Sequence, residues 1–326
     1  RRRRISLMAY AAFFPGQGSQ TVGMLADLAP LYAEIDATFS EASEALGYDL
    51  WALAQSGPAE ALSQTEVTQP LILTAGVALW RAWRAANGPM PRVMAGHSLG
   101  EYTALTCAGS LTLADAVRVV RARGQFMQAA VPAGTGAMAA VIGLDDLIIE
   151  EALAQVAAES GRVIEAVNYN APGQLVIAGH ADAVATALPR LKVLGAKRAL
   201  PLPVSAPFHC ALMRPAAERL AEVLATIPLA APQVPVVQNV SLQPETDPEQ
   251  IRSQVLSQTY SPVRWTETVQ GLIASGLMHA VEFGPGAVLS GLVKRIDPAM
   301  QCWPTGQAAA FQVALEQLKE GAWALH

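Results

Sequence analysis

The stretch MAGHSLGEYTAL, Met94 to Leu105, sets Ser98 between Gly96 and Gly100 at the end of a short apolar run. Gly-x-Ser-x-Gly between a strand and a helix forces a tight turn. That turn lifts the serine Oγ to the sheet edge beside amide N–H groups, the geometry of a nucleophile. A second reading stands beside it: Ser98 caps the following helix, with Glu101 three residues on completing a capping box. A serine hydroxyl needs a base, and the chain offers five histidines. His97 is held in the turn itself, His180 lies in a stretch of different texture, His279 begins a strand and His326 is terminal. His209 sits in PVSAPFHCAL, where two prolines and a serine make a rigid loop before a helix, so it is the best-placed base. The competing reading is an ordinary surface histidine.

Ser-His hydrolases orient the histidine with a carboxylate lying between the two in the chain. Asp115, Asp145, Asp146 and Asp182 lie there, but each reads as a helix start, where capping and the helix dipole account for it. A backbone or amide carbonyl is left as the acceptor. FFPGQGSQ, Phe13 to Gln20, runs a strand into Gly-Gln-Gly and exposes backbone N–H groups, which suits an oxyanion hole or a phosphate nest. It is not a dinucleotide fingerprint, because the third glycine would fall at Thr21. Walker A, HExxH and clustered Cys/His ligands are absent from the sequence, so neither nucleotide hydrolysis nor a catalytic metal is expected.

The elements that must position these groups alternate short β-rich runs with longer helical patterns, the order of an α/β protein with a mostly parallel sheet. Strands are expected at Ala9–Pro15, Arg92–His97, Pro235–Val240 and His279–Pro285. Helices are expected at Pro30–Leu46, Pro70–Ala86, Leu113–Ala130, Leu212–Ala225, Thr266–Ser275 and Ala308–Lys319. Between Pro132 and Pro203 the order becomes β-α-β-β-α-β, the ferredoxin-like arrangement. The expected organisation is an α/β-hydrolase-like core over 8–131 and 205–326, with an inserted ferredoxin-like small domain over 132–204.

With 326 residues, 52% apolar and 15% charged, the chain can bury a large core. A net charge of -5 argues against nucleic-acid binding, which needs a basic surplus on one face. Its three cysteines, Cys107, Cys210 and Cys302, are far apart and show no CxxC spacing, so a disulfide framework is not expected and a cytoplasmic setting is. No apolar run reaches the ~20 residues that span a bilayer. RRRRISL, Arg1 to Leu7, reads as an extension before a start at Met8.

Taken together, FPGQGSQ, GHSLGEYTAL, RGQFMQAAVPAGTGAMAAVIGLDD, VNYNAPGQLVIAG, KRALPLPVSAPFHCALM, SQTYSPVRW and EFGPGAVLSGLVKRI resemble the malonyl-CoA:acyl carrier protein transacylases. The match runs from about Ala11 to Ile296 in that family's order. The resemblance implies that Ser98 is acylated and His209 is its base. It implies that Gln17 and the Leu99 N–H form the oxyanion hole, and that the Gln258 main-chain carbonyl receives the histidine N–H. Arg123 would pair with the malonyl carboxylate, as a planar guanidinium can with two parallel hydrogen bonds. Asn168 and Asn170 would line the cleft. Phe208, where other relatives have a small residue, would disfavour an α-methyl branch on the acyl group. The implied substrates are malonyl-CoA, a CoA thioester, and an acidic acyl carrier protein, with no permanently bound cofactor.

Docking an acidic carrier onto an acidic chain calls for a local basic patch, and Lys197 with Arg198 and Lys294 with Arg295 are the two pairs that could supply it. Three other functions compete. A serine esterase or thioesterase would favour an HGGG-type loop and a Gly-flanked Asp, neither of which occurs, and it leaves Arg123 without a task. A non-catalytic binding module would not need both Ser98 and His209. A trans-acting acyltransferase of polyketide assembly shares the chemistry and differs in the carrier served.

Overall fold

The computed structural model describes residues 8–204 and 206–320, so Arg1 to Leu7, Ser205 and His326 lie outside the described residues. Strand β1 (Ala11–Phe14) is followed by α1 (Ala33–Leu46), α2 (Leu50–Ser56), α3 (Ala59–Leu62) and α4 (Thr65–Ala85) before β2 (Val93–Gly96). Helices α5 (Leu99–Cys107) and α6 (Leu113–Ala129) come next. A β-α-β-β-α-β run then comprises β3 (Gly136–Ile142), α7 (Asp146–Ser160), β4 (Ile164–Ala171), β5 (Gln174–His180), α8 (Ala181–Val193) and β6 (Arg198–Pro201). Beyond a 3-10 turn lie α9 (Arg214–Leu224), β7 (Val236–Val237), β8 (Pro244–Glu245), α10 (Pro248–Gln258) and α11 (Trp265–Ala274). Strand β9 (His279–Glu282), α12 (Val288–Ile296), β10 (Gln301–Pro304) and α13 (Ala308–Glu320) complete the order.

The larger sheet runs β10-β9-β1-β2-β7-β8, and every neighbouring pair is parallel except β7 with β8. Successive side chains of a strand point to opposite faces, and here both faces are buried. Ala12, Phe14, Met94 and Val281 join the core beneath α1, α4, α5, α6 and α13. Ala11, Phe13, Ala95 and Ala280 face the other way, against Trp265 of α11 and Leu289 and Val293 of α12. Continuous apolar strands such as AAFF follow from that double burial.

The smaller sheet is antiparallel in the order β4-β5-β3-β6. Val141, Ile177 and Ala199 on one face pack against Ile149 and Leu153 of α7 and Leu191 of α8. The fold is therefore an α/β-hydrolase-like parallel core joined to a ferredoxin-like unit. Strand β4 is tied back to the core: Tyr169 N–H donates to the Val263 carbonyl at 2.9 Å and Val263 N–H to the Val167 carbonyl at 2.8 Å. Thr266 Oγ1 adds a bond to the Tyr169 carbonyl at 3.0 Å.

Several elements differ from expectation. Helix α4 begins at Thr65, five residues before Pro70, which lies inside it rather than at its first turn. The helix is buried on nearly every side, so packing outweighs the one backbone bond that a proline forgoes. Helices α2, α3 and α10 and strands β8 and β10 are additional to the expected set. In α10 only Ile251, Val255 and Gln258 are buried, too sparse an apolar stripe to announce a helix. Among the described residues no helix is long and apolar enough to cross a membrane.

Candidate active site

The nucleophile turn is built by close approach of backbone to backbone. Strand β2 ends at Gly96 and α5 starts at Leu99, leaving Ser98 between them at φ 54°, ψ -113°. A Cβ on Gly96 would lie 1.9 Å from the Gly100 carbonyl carbon, and one on Gly100 would lie 2.0 Å from the Phe14 carbonyl oxygen. Glycine is required at both positions for α5 to seat on β1 and β2. The capping reading of Ser98 does not hold, since its side chain makes no cap bond. Its Oγ lies 2.7 Å from His209 Nε2. Glu101 is fully buried and faces Gln258 and Asn239 instead of reaching back to the turn.

His209 occupies a turn after β6 at φ 63° and is buried. Its Nδ1 lies 2.9 Å from the Gln258 main-chain carbonyl. A carbonyl can only accept, so Nδ1 carries the proton and Nε2 is the bare nitrogen that accepts from the Ser98 hydroxyl. Burial first, and then the Arg123 guanidinium, push the imidazole pKa down to about 3. The ring is neutral at physiological pH. The four aspartates between Ser98 and His209 sit at helix starts: Asp145 caps α7, and Asp115, Asp146 and Asp182 lie in first turns.

Arg123 projects from α6 into the same place and is only 2% exposed. Nη1 donates to Gln69 Oε1 at 2.8 Å, and Nη2 donates to Gln258 Oε1 at 2.7 Å and to Ser98 Oγ at 3.3 Å. The guanidinium lies 5.4 Å from the Tyr102 ring centroid, and its buried Nε has no partner. A planar cation whose Nη2 lies beside a serine suits an anionic group carried by a substrate. Glu101, its buried counter-charge, is raised to about 7 by burial, against the opposing effects of Gln258, Asn239 and Arg123.

These side chains open onto a cavity of about 130 Å³. Gln17, His97, Ser98, Leu99, Arg123 and His209 line it, together with Met138, Asn168, Leu202, Val204 and Phe208. Gln17 is fixed by Thr65 Oγ1, which donates to its side-chain oxygen at 2.9 Å. Asn170, expected beside Asn168 on the cleft wall, does not line the cavity; its Oδ1 lies 2.7 Å from His97 Nε2, joining the smaller sheet to the nucleophile turn. Lys197, Arg198, Lys294 and Arg295 are exposed and outside the cavity, and among the described residues none forms an ion pair.

Sequence reasoning missed Gln69, Glu101 as a network member, Asn239, and the side chain of Gln258. That side chain donates to the Ser98 carbonyl at 2.9 Å and to Glu101 Oε2 at 2.6 Å while accepting from Arg123. Asn239 follows β7 at its carboxyl end, which is where ligands bind in an open α/β sheet, so that rule could have singled it out.

Comparison with known proteins agrees with this arrangement. The profile of the acyl transferase domain matches residues 13–300. The malonyl CoA-acyl carrier protein transacylase of Salmonella typhimurium is 56% identical over 308 residues, covering 94% of this chain and 99% of that protein. The solved structure of the malonyl CoA-acyl carrier protein transacylase from Coxiella burnetii superposes with a TM-score of 0.93 at 47% identity, covering 96% of this chain and 98% of the other. A malonyl-transacylase in complex with its type II PKS acyl-carrier protein gives a TM-score of 0.92 at 51% identity, over 95% and 99% of the two chains. With that likeness running over nearly its whole length, the chain belongs to the malonyl CoA-acyl carrier protein transacylase family of acyl transferase domains.

Proposed function

We propose that the chain transfers a malonyl group from malonyl-CoA to the phosphopantetheine thiol of an acyl carrier protein through an ester on Ser98. The observation that carries this is the line Ser98 Oγ, His209 Nε2, His209 Nδ1, Gln258 carbonyl, with Arg123 3.3 Å from the same Oγ. In the first half-reaction His209 Nε2 takes the Ser98 proton as Oγ attacks the thioester carbonyl. The backbone N–H groups of Gln17 and Leu99 hold the oxyanion. The tetrahedral species collapses, CoA leaves as thiolate and takes the proton from His209. In the second half the carrier thiol gives its proton to His209, attacks the seryl ester, and releases Ser98 with its hydroxyl restored.

Arg123 binds the free carboxylate of the malonyl group, its Nη2 lying 3.3 Å from Ser98 Oγ. Asn168 and Phe208 also line the cavity, where the Phe208 ring favours malonyl over α-branched groups. The main-chain carbonyl of Gln258 orients His209 in place of a carboxylate. The chain divides into a core over 8–131 and 205–326 and a small domain over 132–204, and works in the cytoplasm, where its three free cysteines stay reduced. Lys197, Arg198, Lys294 and Arg295 receive the acidic carrier. The loaded carrier feeds fatty-acid synthesis; the likeness to a complex with a polyketide carrier makes polyketide assembly the second reading.

Intact-mass measurement after incubation with malonyl-CoA tests the scheme. A malonyl adduct should form on the Ser98 peptide and discharge when carrier is added. Ser98→Ala should fold normally and gain no mass; an adduct on the same peptide of that variant would refute the nucleophile assignment.

A further inference from the structure

Strand β7 supports the nucleophile turn for only part of its length. It pairs with β2 at Met94 with Val236 and at Ala95 with Val237. Beyond Val237 its backbone turns away: Gln238 N–H donates to the Gln243 carbonyl at 3.1 Å, and Leu242 N–H donates to the Gln238 carbonyl at 2.9 Å. The ladder would therefore end just where β2 enters the turn.

The side chain of Asn239 fills the gap. Its Nδ2 donates to the Gly96 carbonyl at 2.7 Å and its Oδ1 accepts from the Ser98 N–H at 3.0 Å. Only this orientation of the amide gives both backbone groups a partner. One side chain thus offers a donor and an acceptor across Gly96 and Ser98, as a peptide unit of a neighbouring strand would. Asn239 is itself 1% exposed, and its N–H faces Glu101 Oε1 at 3.4 Å. On the far side of Ser98, Gln258 Nε2 holds the carbonyl.

A non-glycine residue at φ 54°, ψ -113° is strained and persists only where its surroundings over-determine it. We infer that Asn239 is a positioning residue for acyl transfer, its side-chain amide replacing a strand's peptide unit to hold Ser98 in the conformation that aims Oγ at His209. Asn239 is not among the cavity-lining residues. It acts through Ser98, so its loss should lower the rate of acylation and leave binding of malonyl-CoA largely alone.

The inference rests on Ser98 being the acylated residue, and the test separates the two. Asn239→Ala and Asn239→Asp would be compared with the unmodified chain in single-turnover acylation by malonyl-CoA, read by intact mass. KM for malonyl-CoA, circular dichroism, and the labelling rate of Ser98 by a fluorophosphonate, which carries no carboxylate, would be measured alongside. Asn239→Asp keeps the shape and the acceptor for Ser98 N–H but, as a carboxylate, cannot donate to Gly96. Loss of aim should slow acylation and labelling together, by on the order of 10–100-fold in the alanine variant and by less in the aspartate variant, with KM within about 3-fold.

Acylation within about 2-fold of the unmodified chain in either folded variant would overturn the inference, as would a KM effect without a rate effect. If only the aspartate variant folds, its rates decide. If neither folds, Asn239 serves stability and the positioning role is rejected. An unmodified chain labelled by the fluorophosphonate but not acylated by malonyl-CoA would instead refute the proposed function.

Discussion

Three groups share one buried spot: a guanidinium, a neutral imidazole and a serine hydroxyl. Arg123 is held by Gln69 and Gln258, yet keeps Nε unpaired. Replacing it with alanine should reduce malonyl transfer by the equivalent of about 2–5 kcal/mol, as expected for a desolvated charge-assisted pair. Acetyl transfer, lacking the carboxylate, should fall less; equal losses measured with malonyl-CoA and acetyl-CoA would make Arg123 structural. The same cation contributes to the low pKa of His209. Ring-nitrogen NMR should therefore find His209 still neutral at pH 5, and in Arg123→Ala its midpoint should rise toward the ordinary value of about 6.5. A midpoint near 6.5 in the unmodified chain would contradict the burial argument. The sign for folding follows: the unfolded histidine binds a proton below about 6.5 while the folded one does not, so stability is present above that pH and is lost as pH falls toward 3. Ser98 and His209 could be named from spacing because glycines mark a nucleophile turn and prolines mark a rigid loop. Gln69, Glu101 and Asn239 could not, because a buried polar residue on a helix or strand end has no local signature and acquires partners only through the fold.

At the level of elements, α5 must lie directly on β1 and β2 for the turn to exist. Gly100→Ala places a methyl group 2.0 Å from the Phe14 carbonyl oxygen, and backbone cannot yield as a side-chain tip can. The helix would have to lift, at the upper end of the ~1–3 kcal/mol typical of overpacking or beyond it. Gly291→Ala in α12 is the control, since an added Cβ there meets nothing within 4 Å and alanine is the better helix former. Thermal unfolding should drop clearly in the first variant and hold or rise slightly in the second; similar midpoints would show that the close approach carries no energetic weight. Legibility at this scale followed burial. Strands covered on both faces, such as AAFF and VMAG, read directly as apolar runs, and the two-residue β7 lay within the longer run PVVQNV. Helix α10 escaped because most of its surface is polar, and the start of α4 because Pro70 imitates a first-turn proline.

For the molecule as a whole, charge must be handled locally. The chain carries -5 overall, so an acidic partner is repelled except where cations gather. Lys197→Glu combined with Lys294→Glu should raise the apparent KM for the carrier and flatten its salt dependence, while acylation of Ser98 by malonyl-CoA stays near normal. Unchanged carrier kinetics would place docking elsewhere on the surface. The β-α-β-β-α-β order of the smaller unit was visible in the sequence, whereas its attachment through Val263 was not, because no pattern in a sequence announces a contact between Tyr169 and a loop about a hundred residues later. That attachment leaves the cavity with two unlike sets of lining residues. The ionic and nucleophilic side chains all come from the parallel core, while Met138, Asn168, Leu202 and Val204 arrive from the smaller sheet or just past its last strand. Changes among the residues from the smaller sheet can therefore alter the space beside Ser98 without touching the 2.7 Å contact between Ser98 Oγ and His209 Nε2.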